Sequence, residues 1–306
     1  MNILNTPTIT VVIPTKNRGE IICSTLESLF ANNYKDFNII VVDQSTDDST
    51  NKAVSKYLKN DNFTYIKSDS VGSATARNIA IEKSESEFIA ITDDDCVVSV
   101  NWLENIIKVF NTDDNIGIVF GKVDRGETGD KEGFIPSYIM ETPYITKSIY
   151  DKHSLEGLTA CMGIRKSVWT RLNGFDCMLG PGALFVAEET DLSIRALLIN
   201  FYVYYTPAVS VVHNGYRDKS EGRKLAQAYG FGNGGLFAKH IKCGNYGMLY
   251  VLLRQVFRWA FGKPWVMSEA DTETYKLARM SSFIKGSYRG FVTPIDKNKG
   301  HFENTL

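Results

Sequence analysis

Cysteine is scarce: Cys23, Cys96, Cys161, Cys177 and Cys243 are the five in 306 residues, an odd number with no CxxC pair. That spacing excludes a disulfide framework and leaves reduced thiols, as expected of a cytoplasmic protein. No stretch reaches 18 uninterrupted apolar residues, so no transmembrane span is expected. The first residues, Met1 to Pro7, lack both a basic and an apolar leader segment, so no secretory signal is expected, and the sequon Asn62-Phe63-Thr64 reads as coincidence. A charge of one sign is also missing. With 34 Lys+Arg against 35 Asp+Glu the net charge is −1, which carries no overall signal of a nucleic-acid binder or a polyacid, and no nucleic-acid partner is expected. There is no internal repeat and no low-complexity segment. What is present is a 43% hydrophobic content, enough to fill the core of one large α/β domain or two smaller ones and to exclude disorder, collagen and coiled coil.

The neutral total hides a division. Residues 1–213 carry 19 Lys+Arg and 28 Asp+Glu, or −9, whereas residues 214–306 carry 15 and 7, or +8. In the acidic part, short β-branched runs at Thr8–Ile13, Phe37–Val42, Phe63–Lys67, Phe88–Thr92 and Ile116–Gly121 predict strands. Stretches of helical spacing at 19–32, 49–60, 74–83 and 101–110 separate them, the pattern of βαβ units around a parallel sheet. A weakly patterned stretch at 126–154 reads as a loop. A strand over 157–165, a short helix from Ser167, a helix over 189–199 and one or two strands over 201–212 are expected to follow. Beyond His213 the sequence predicts long helices to about Gly290.

In such sheets ligands gather at the carboxyl ends of the strands. Asp93-Asp94-Asp95 directly follows the strand Phe88–Thr92. Each close carboxylate pair costs about 4 kcal/mol at ~4 Å and a surface-like dielectric, a repulsion that a divalent cation removes. Oxygen ligands point to Mg²⁺ or Mn²⁺; the alternative is a solvated acidic turn. Other strands run into Pro14-Thr15-Lys16-Asn17-Arg18 and into Asp43-Gln44-Ser45-Thr46-Asp47. Asp43 suits a ribose hydroxyl or base imide, and Asp69 and Arg77-Asn78 would complete a nucleotide pocket, although Asp43 also suits a turn cap and Arg77 an ordinary ion pair.

The motifs Val11-Val12-Ile13-Pro14-Thr15-Lys16-Asn17-Arg18, Val41-Val42-Asp43-Gln44-Ser45-Thr46-Asp47, Gly72-Ser73-Ala74-Thr75-Ala76-Arg77-Asn78, Asp93-Asp94-Asp95-Cys96, Gly174-Phe175-Asp176 and Glu188-Glu189-Thr190-Asp191-Leu192 occur in one order over about residues 8–213. Together they resemble a family-2 glycosyltransferase of the GT-A fold. The resemblance implies an α/β fold, a Rossmann-like, mostly parallel sheet flanked by helices, with a helical C-terminal extension. It also implies a catalytic domain over 1–213, with a nucleotide-sugar half to about 123 and an acceptor-side half from about 124, followed by a basic helical region over 214–306. By position, Pro14, Thr15, Asp43, Asp69 and Arg77 match residues that hold the donor's nucleotide, with Asn17, Arg18 and Asp94 beside them. Asp93 and Asp95 match the ends of the family's Asp-x-Asp motif, one by the ribose and the other on a Mn²⁺ or Mg²⁺ ion that bridges the diphosphate.

The family usually has Glu-Asp at the second catalytic element, with the Asp as general base; this chain has Glu189 there, which lengthens the reach by one methylene. A positioned base contributes about 10²- to 10⁴-fold. Asp191 and Glu188 compete for the role, and acids also collect at helix N-termini for electrostatic reasons alone. His213 reads either as a third metal ligand, as a diphosphate contact, or as an ordinary hydrogen-bonded residue. Trp102 and Trp169 read as packing residues. Gly230-Phe231-Gly232-Asn233-Gly234-Gly235 fits GxGxxG but lacks the strand that a dinucleotide site needs, so close helix packing or a kink is expected instead.

The apolar, aromatic stretch 246–261, with Arg254 and Arg258 on one helical face, suits either a helix lying in a membrane interface or one packed on the catalytic domain. The expected partners are therefore a nucleotide-sugar donor, a glycan or lipid-linked acceptor and an anionic membrane surface met by the C-terminal region. Expected location is the cytoplasm, peripheral on the cytoplasmic face of the membrane. Two alternatives stay open: a nucleotidyltransferase of similar architecture, disfavoured by the lack of a Gly-rich triphosphate loop, and a non-catalytic nucleotide- or glycan-binding relative.

Overall fold

The structure, a computed structural model, describes residues 8–127, 133–152, 155–261 and 276–303. The β-branched runs form strands β1 (Ile9–Thr15), β2 (Phe37–Asp43), β3 (Phe63–Lys67) and β4 (Phe88–Ile91), separated by α1 (Ile22–Phe30), α2 (Ser49–Val54) and α3 (Ser73–Lys83). Then come β5 (Cys96–Val98), α4 (Trp102–Phe110), β6 (Ile116–Arg125), β7 (Gly133–Phe134), β8 (Tyr144–Thr146), β9 (Met162–Arg165), α5 (Lys166–Arg171), α6 (Glu188–Leu198) and β10 (Tyr202–His213). The C-terminal part adds β11 (Arg217–Asp218), α7 (Lys219–Lys242), α8 (Met248–Phe261), α9 (Lys276–Val292), β12 (Ile295–Asp296) and β13 (His301–Phe302).

One sheet in the order β3-β2-β1-β4-β9-β6-β10-β5, with β8 also on β10, runs through the acidic part of the chain. Its first four strands are mutually parallel, as the alternating pattern predicts. β9 breaks that rule by pairing antiparallel with both β4 and β6. The strand expected over 157–165 therefore shortens to four residues, preceded by a 3-10 turn at Thr159–Cys161. The segment 201–212 is a single strand whose parallel pairing with β6 slips between Thr206 and Ser210, where Pro207 has no N–H to give the ladder. Of the stretch read as a loop, residues 128–132 and 153–154 lie outside the described part, and the rest contains β7 and β8. Met1 to Pro7 also lie outside it.

β1 and β2 are buried along almost their whole length, which is why they read as continuous apolar runs rather than alternating ones. α3 packs on β1 and β2, and α4 on β6 and β10. α4 turns Trp102, Leu103, Ile106 and Phe110 inward. Trp102 is fully buried and donates its indole N–H to Cys161 Sγ at 3.4 Å, and Trp169 donates to Asn78 Oδ1 at 3.1 Å. All five cysteines are free thiols.

The C-terminal helices close on this core. Leu236, Met248 and Val251 join the main apolar cluster, and Phe302 packs with Met178, Leu179 and Phe185. Arg254 donates to the carbonyl of Asp151, so α8 is tied to the acidic part of the chain rather than free of it; within the helix Arg254 lies 5.7 Å from the Tyr250 ring, and the Arg258 side chain lies outside the described residues. The GxGxxG match is a helix seam. A Cβ on Gly230 would lie 2.3 Å from the Arg279 carbonyl oxygen, one on Gly234 2.1 Å from that of Phe283, and one on Gly286 1.9 Å from that of Phe231. Two glycines spaced four apart on each helix thus let the backbones of α7 and α9 touch. Gly286→Ala is expected to destabilise the fold: helix propensity gains about 1 kcal/mol, but forcing a methyl into packed backbone costs about 1–3 kcal/mol or more. A lowered unfolding temperature in a calorimetric scan checks this sign.

Candidate active site

The carboxyl ends of β1, β2, β4 and β10 meet at one edge of the sheet, and α6 begins there. The Asp triplet follows β4, and its three carboxylates diverge to separate partners. Asp93 accepts from Arg77 Nη2 at 3.1 Å. Asp94 accepts from Thr15 Oγ1 at 2.6 Å and from Arg18 Nη1 at 2.9 Å, and the same Arg18 nitrogen reaches Asp95 at 2.7 Å. Repulsion within the triplet is thus relieved by internal cations. Burial pushes the Asp94 carboxyl up to about 6 despite Thr15 and Arg18, with Asp95 and Asp93 adding to the rise. For Asp95, burial acts upward but is outweighed by His213 and Arg18, which hold it below its ordinary value.

Register explains how His213 reaches Asp95. β5 runs antiparallel to β10 with Cys96 opposite His213, so the residue before Cys96 lies beside the imidazole. His213 Nδ1 is 2.8 Å from the Pro136 carbonyl, which only accepts, so Nδ1 carries a proton and Nε2 faces Asp95 Oδ1 at 3.2 Å. That is the arrangement of a metal-ligating histidine, oriented by a carbonyl on its other nitrogen. Ligand atoms of Asp95, Cys96 and His213 lie within 4.8 Å of one another. Burial keeps the Cys96 thiol well above its ordinary value, so it is a neutral thiol and the effective donors are carboxylate oxygen and imidazole nitrogen. Gly215 keeps the spot open: a Cβ there would sit 2.5 Å from His213 Nε2 and 2.8 Å from Asp95 Oδ2. These residues fit a divalent cation of the Mn²⁺ or Mg²⁺ kind. Asp93, expected as a further ligand, is turned toward Arg77.

Arg77 on α3 is buried and joins two motifs that lie far apart in the chain. Its Nη1 donates to Glu188 at 2.8 Å while Nη2 holds Asp93, and its Nε has no hydrogen-bond partner. Asn78, expected beside it in a nucleotide pocket, instead holds the Gly174-Phe175 turn, donating to the Phe175 carbonyl at 2.8 Å and accepting from its N–H at 2.9 Å. Asp43 ends β2 fully buried, accepting from Ser45 N–H (2.8 Å), Ser45 Oγ, Tyr65 Oη (2.6 Å) and Lys67 Nζ (3.0 Å). Burial would raise its carboxyl, but these donors hold it below the ordinary value. Asn17 lies nearby at φ 56, its N–H donating to Ser45 Oγ at 2.6 Å. Pro14 is half-buried and Asp69 exposed.

The three acids that open α6 differ sharply. Ala187, at φ 90, precedes them in the left-handed region, a conformation costing about 1–3 kcal/mol that is held only where surrounding structure imposes it. Glu188 is committed to Arg77. Asp191, expected as a competing base, is fully buried, and accepts from Arg195 Nε at 2.7 Å, Lys239 Nζ at 2.7 Å and His240 Nε2 at 3.1 Å. Burial acts upward, but Arg195, Lys239 and His240 hold its carboxyl well below the ordinary range, so it is a weak base, enclosed and committed to internal donors. Among the described residues no cation pairs with Glu189. Part of its surface is exposed, yet its carboxyl is enclosed, and burial together with the neighbouring Glu188 raises it well above the ordinary value.

Lys239 and His240 were not legible as site-supporting residues. Lys239 Nζ bridges Asp191 and Asp176, 2.7 Å from each, and Asp176 also accepts from the Phe302 N–H at 2.8 Å. Asn245 Nδ2 lies 3.1 Å from His240 Nδ1, which fixes the tautomer with the proton on Nε2, toward Asp191.

Comparison with known proteins gives the family and the fold. The family model "Glycosyl transferase family 2" matches residues 10–172, and the chain belongs to that family. The poly(ribitol-phosphate) beta-N-acetylglucosaminyltransferase TarP of Staphylococcus aureus is 26% identical over 165 residues, 52% of this chain and 49% of that protein. The O-antigen chain rhamnosyltransferase WbaN of Salmonella anatum is 26% identical over 220 residues, 68% of this chain and 66% of that one. The chain matches only 34% of another relative, the glycosyltransferase GlyG of Streptococcus pneumoniae, so it spans a third to a half of the length of the first curated relatives it resembles. In fold it is similar to the mannosyltransferase PcManGT from Pyrobaculum calidifontis, solved with GDP-Man and Mn²⁺ (TM-score 0.60, 17% identity, 94% of this chain and 88% of that chain). It is likewise similar to S. aureus TarS 1-349 solved with UDP-GlcNAc (TM-score 0.57, 16% identity, 92% and 81%). The GT-A architecture is therefore the fold of this chain.

Proposed function

We propose that the protein is an inverting, metal-dependent glycosyltransferase. It moves a sugar from a nucleotide-diphosphate donor, a UDP-sugar in the first instance, to a hydroxyl of a glycan or lipid-linked acceptor in cell-surface polysaccharide or glycoconjugate synthesis. The observation that carries this reading is Arg77, buried between Asp93 and Glu188, because it sets the acidic triplet and the opening of α6 at one site. The names of the relatives and the ligands of the structural neighbours support it. In this reading residues 1–213 form the catalytic unit, with the donor's nucleotide held by the part up to about residue 123 and the acceptor met by the part from about 124. The enzyme works in the cytoplasm, at the cytoplasmic face of a membrane, through the basic region 214–306.

Pro14, Thr15, Asn17, Arg18, Asp43, Asp69, Arg77, Asp93 and Asp94 would line the nucleotide and diphosphate. Asp95 and His213 would hold Mn²⁺ or Mg²⁺, which when bound neutralises charge developing on the diphosphate leaving group. Glu189 would take the proton from the acceptor hydroxyl as its oxygen attacks the anomeric carbon on the face opposite the leaving group. Arg18, which spans Asp94 and Asp95, is placed to turn toward the diphosphate.

A thermal-shift panel of UDP, GDP and their sugars with and without Mn²⁺ tests the assignment. A ligand at 100 times its dissociation constant stabilises by about 2.7 kcal/mol. The wild type is expected to gain more from nucleotide with Mn²⁺ than from either alone, and Asp95→Asn to lose the metal-dependent part. An equal gain in both proteins would sink the metal site, and no gain from any nucleotide would sink the donor class.

A further inference from the structure

α9 meets α7 through one face only, where Gly286 and Gly290 lie against Phe231, Gly235 and Ala238. Its other face leaves Leu277 (81%), Met280, Ile284 (68%), Tyr288 (72%), Phe291 and Val292 exposed. At 3.6 residues per turn these six positions fall within a sector of about 120°. Soluble proteins normally expose large apolar side chains singly, and a continuous row marks a surface built for a partner. The charge of the helix says which kind. Its 17 residues contain no Asp or Glu and four cations, Lys276, Arg279, Lys285 and Arg289. Lys285 and Arg289 are exposed and, by the same helical geometry, border the apolar row.

We infer that this face of α9 is a docking surface for an anionic lipid bilayer. The helix lies in the plane of the interface, with the row from Leu277 to Phe291 against the acyl chains, the Tyr288 ring at headgroup depth, and Lys285 and Arg289 on lipid phosphates. A second copy of the chain is the less suitable occupant, because a two-fold contact would set α9 on α9, four cations against four with no acid on either helix. The net charge of +8 over residues 214–306 extends the match to an anionic surface. The sequence offered 246–261 as either a membrane-interface helix or one packed on the catalytic domain; among the described side chains Tyr246, just before α8, and Leu249, Tyr250 and Leu253 on it are exposed, a shorter described row than that of α9. Docking is separable from catalysis, since α9 supplies no residue to the candidate active site.

Vesicle flotation of the full chain tests the inference. Binding is expected to vesicles of phosphatidylcholine mixed equally with phosphatidylglycerol, to weaken as salt rises, and to be slight with phosphatidylcholine alone. Lys285→Gln with Arg289→Gln is expected to lower the partition coefficient about 25-fold, the product of about fivefold per cation near an anionic surface. Ile284→Asn with Tyr288→Asn should lower it about tenfold or more by removing inserted apolar surface. All four side chains are exposed, so unfolding temperatures should hold; if the asparagine pair lowers them, the glutamine pair decides alone. No binding by the wild type to anionic vesicles overturns the inference, as does undiminished binding by the glutamine pair. So does a dimer in sedimentation equilibrium that the asparagine pair converts to monomer, which assigns the face to a second copy. Loss of vesicle binding with nucleotide stabilisation retained would leave the transferase reading intact, and the reverse result would leave the docking intact.

Discussion

Glu189→Gln is expected to lower kcat for sugar transfer by about 10²- to 10⁴-fold, the ordinary contribution of a positioned general base, while leaving metal-dependent nucleotide binding in place. Arg77 occupies Glu188 at 2.8 Å, and Arg195, Lys239 and His240 occupy Asp191. Glu189 has no such cation, and burial and Glu188 raise its carboxyl well above the ordinary value, toward the range where a base is most effective. Because the base must be ionised to accept a proton, kcat/KM should rise with pH through that raised value and fall below it. The acid limb should therefore lie above the usual carboxylate range and vanish in Glu189→Gln. Glu189→Asp, which restores the residue usual in the family but withdraws the oxygen by one methylene, should retain intermediate activity and keep the limb. Release of nucleoside diphosphate, followed over a pH series, reads all three, and a glutamine variant with parental turnover would remove Glu189 from the mechanism.

The contrast among those three acids marks how far the sequence could be read. β1, β2 and β4 were legible because a strand covered on both faces must be apolar along its length, β3, half-exposed at the sheet edge, because it is rich in β-branched and aromatic residues, and the residues after each strand were singled out because such sheets place ligands there. Direction and short edges were not. β9 carries no local mark that it runs antiparallel, and β5 and β8, three residues each, are too short for a period to register. The difference between Glu189 and Asp191 lay further out of reach. Both are acids at one helix start, and what separates them is Lys239 and His240, which come from α7, 48 and 49 residues later than Asp191. The nearest available signal was Lys239-His240 between Ala238 and Ile241, a cation with apolar neighbours late in a helix that already broke pattern through its glycines. Of the two readings of the glycines, close helix packing or a kink, the packing is what the structure shows, but which helix they met depended on a second pair, Gly286 and Gly290, that no motif connects to them.

Lys239→Met is expected to destabilise the protein by about 3–5 kcal/mol, the usual cost of removing one partner from a buried ion pair. Lys239 and Arg195 balance Asp176 and Asp191 in a fully enclosed cluster, and His240, lowered below its ordinary value by burial despite Asp191, contributes a neutral N–H. Methionine matches the lysine stem in volume but leaves one carboxylate without a counter-charge, so the cluster is short by one cation rather than short of packing. Asp191 is held well below its ordinary value, so its pairing contributes fully above the unfolded-state value of about 3.9 and is lost as pH falls through the folded one. The gap between wild type and variant should accordingly be widest near neutral pH and narrow in acid, where the stranded carboxylate takes up a proton. Adding Asp176→Asn to Lys239→Met should recover part of the loss at neutral pH, because the net charge of the cluster returns to zero. Urea titrations of the three proteins at neutral and acidic pH check the order. A gap that does not change with pH would mean that Lys239 acts through packing alone. The cluster joins α7 to the helix that carries Glu189, so below the unfolding transition the single variant should keep the pH limb of the wild type while losing part of its turnover, which separates a residue that positions the base from one that acts as it.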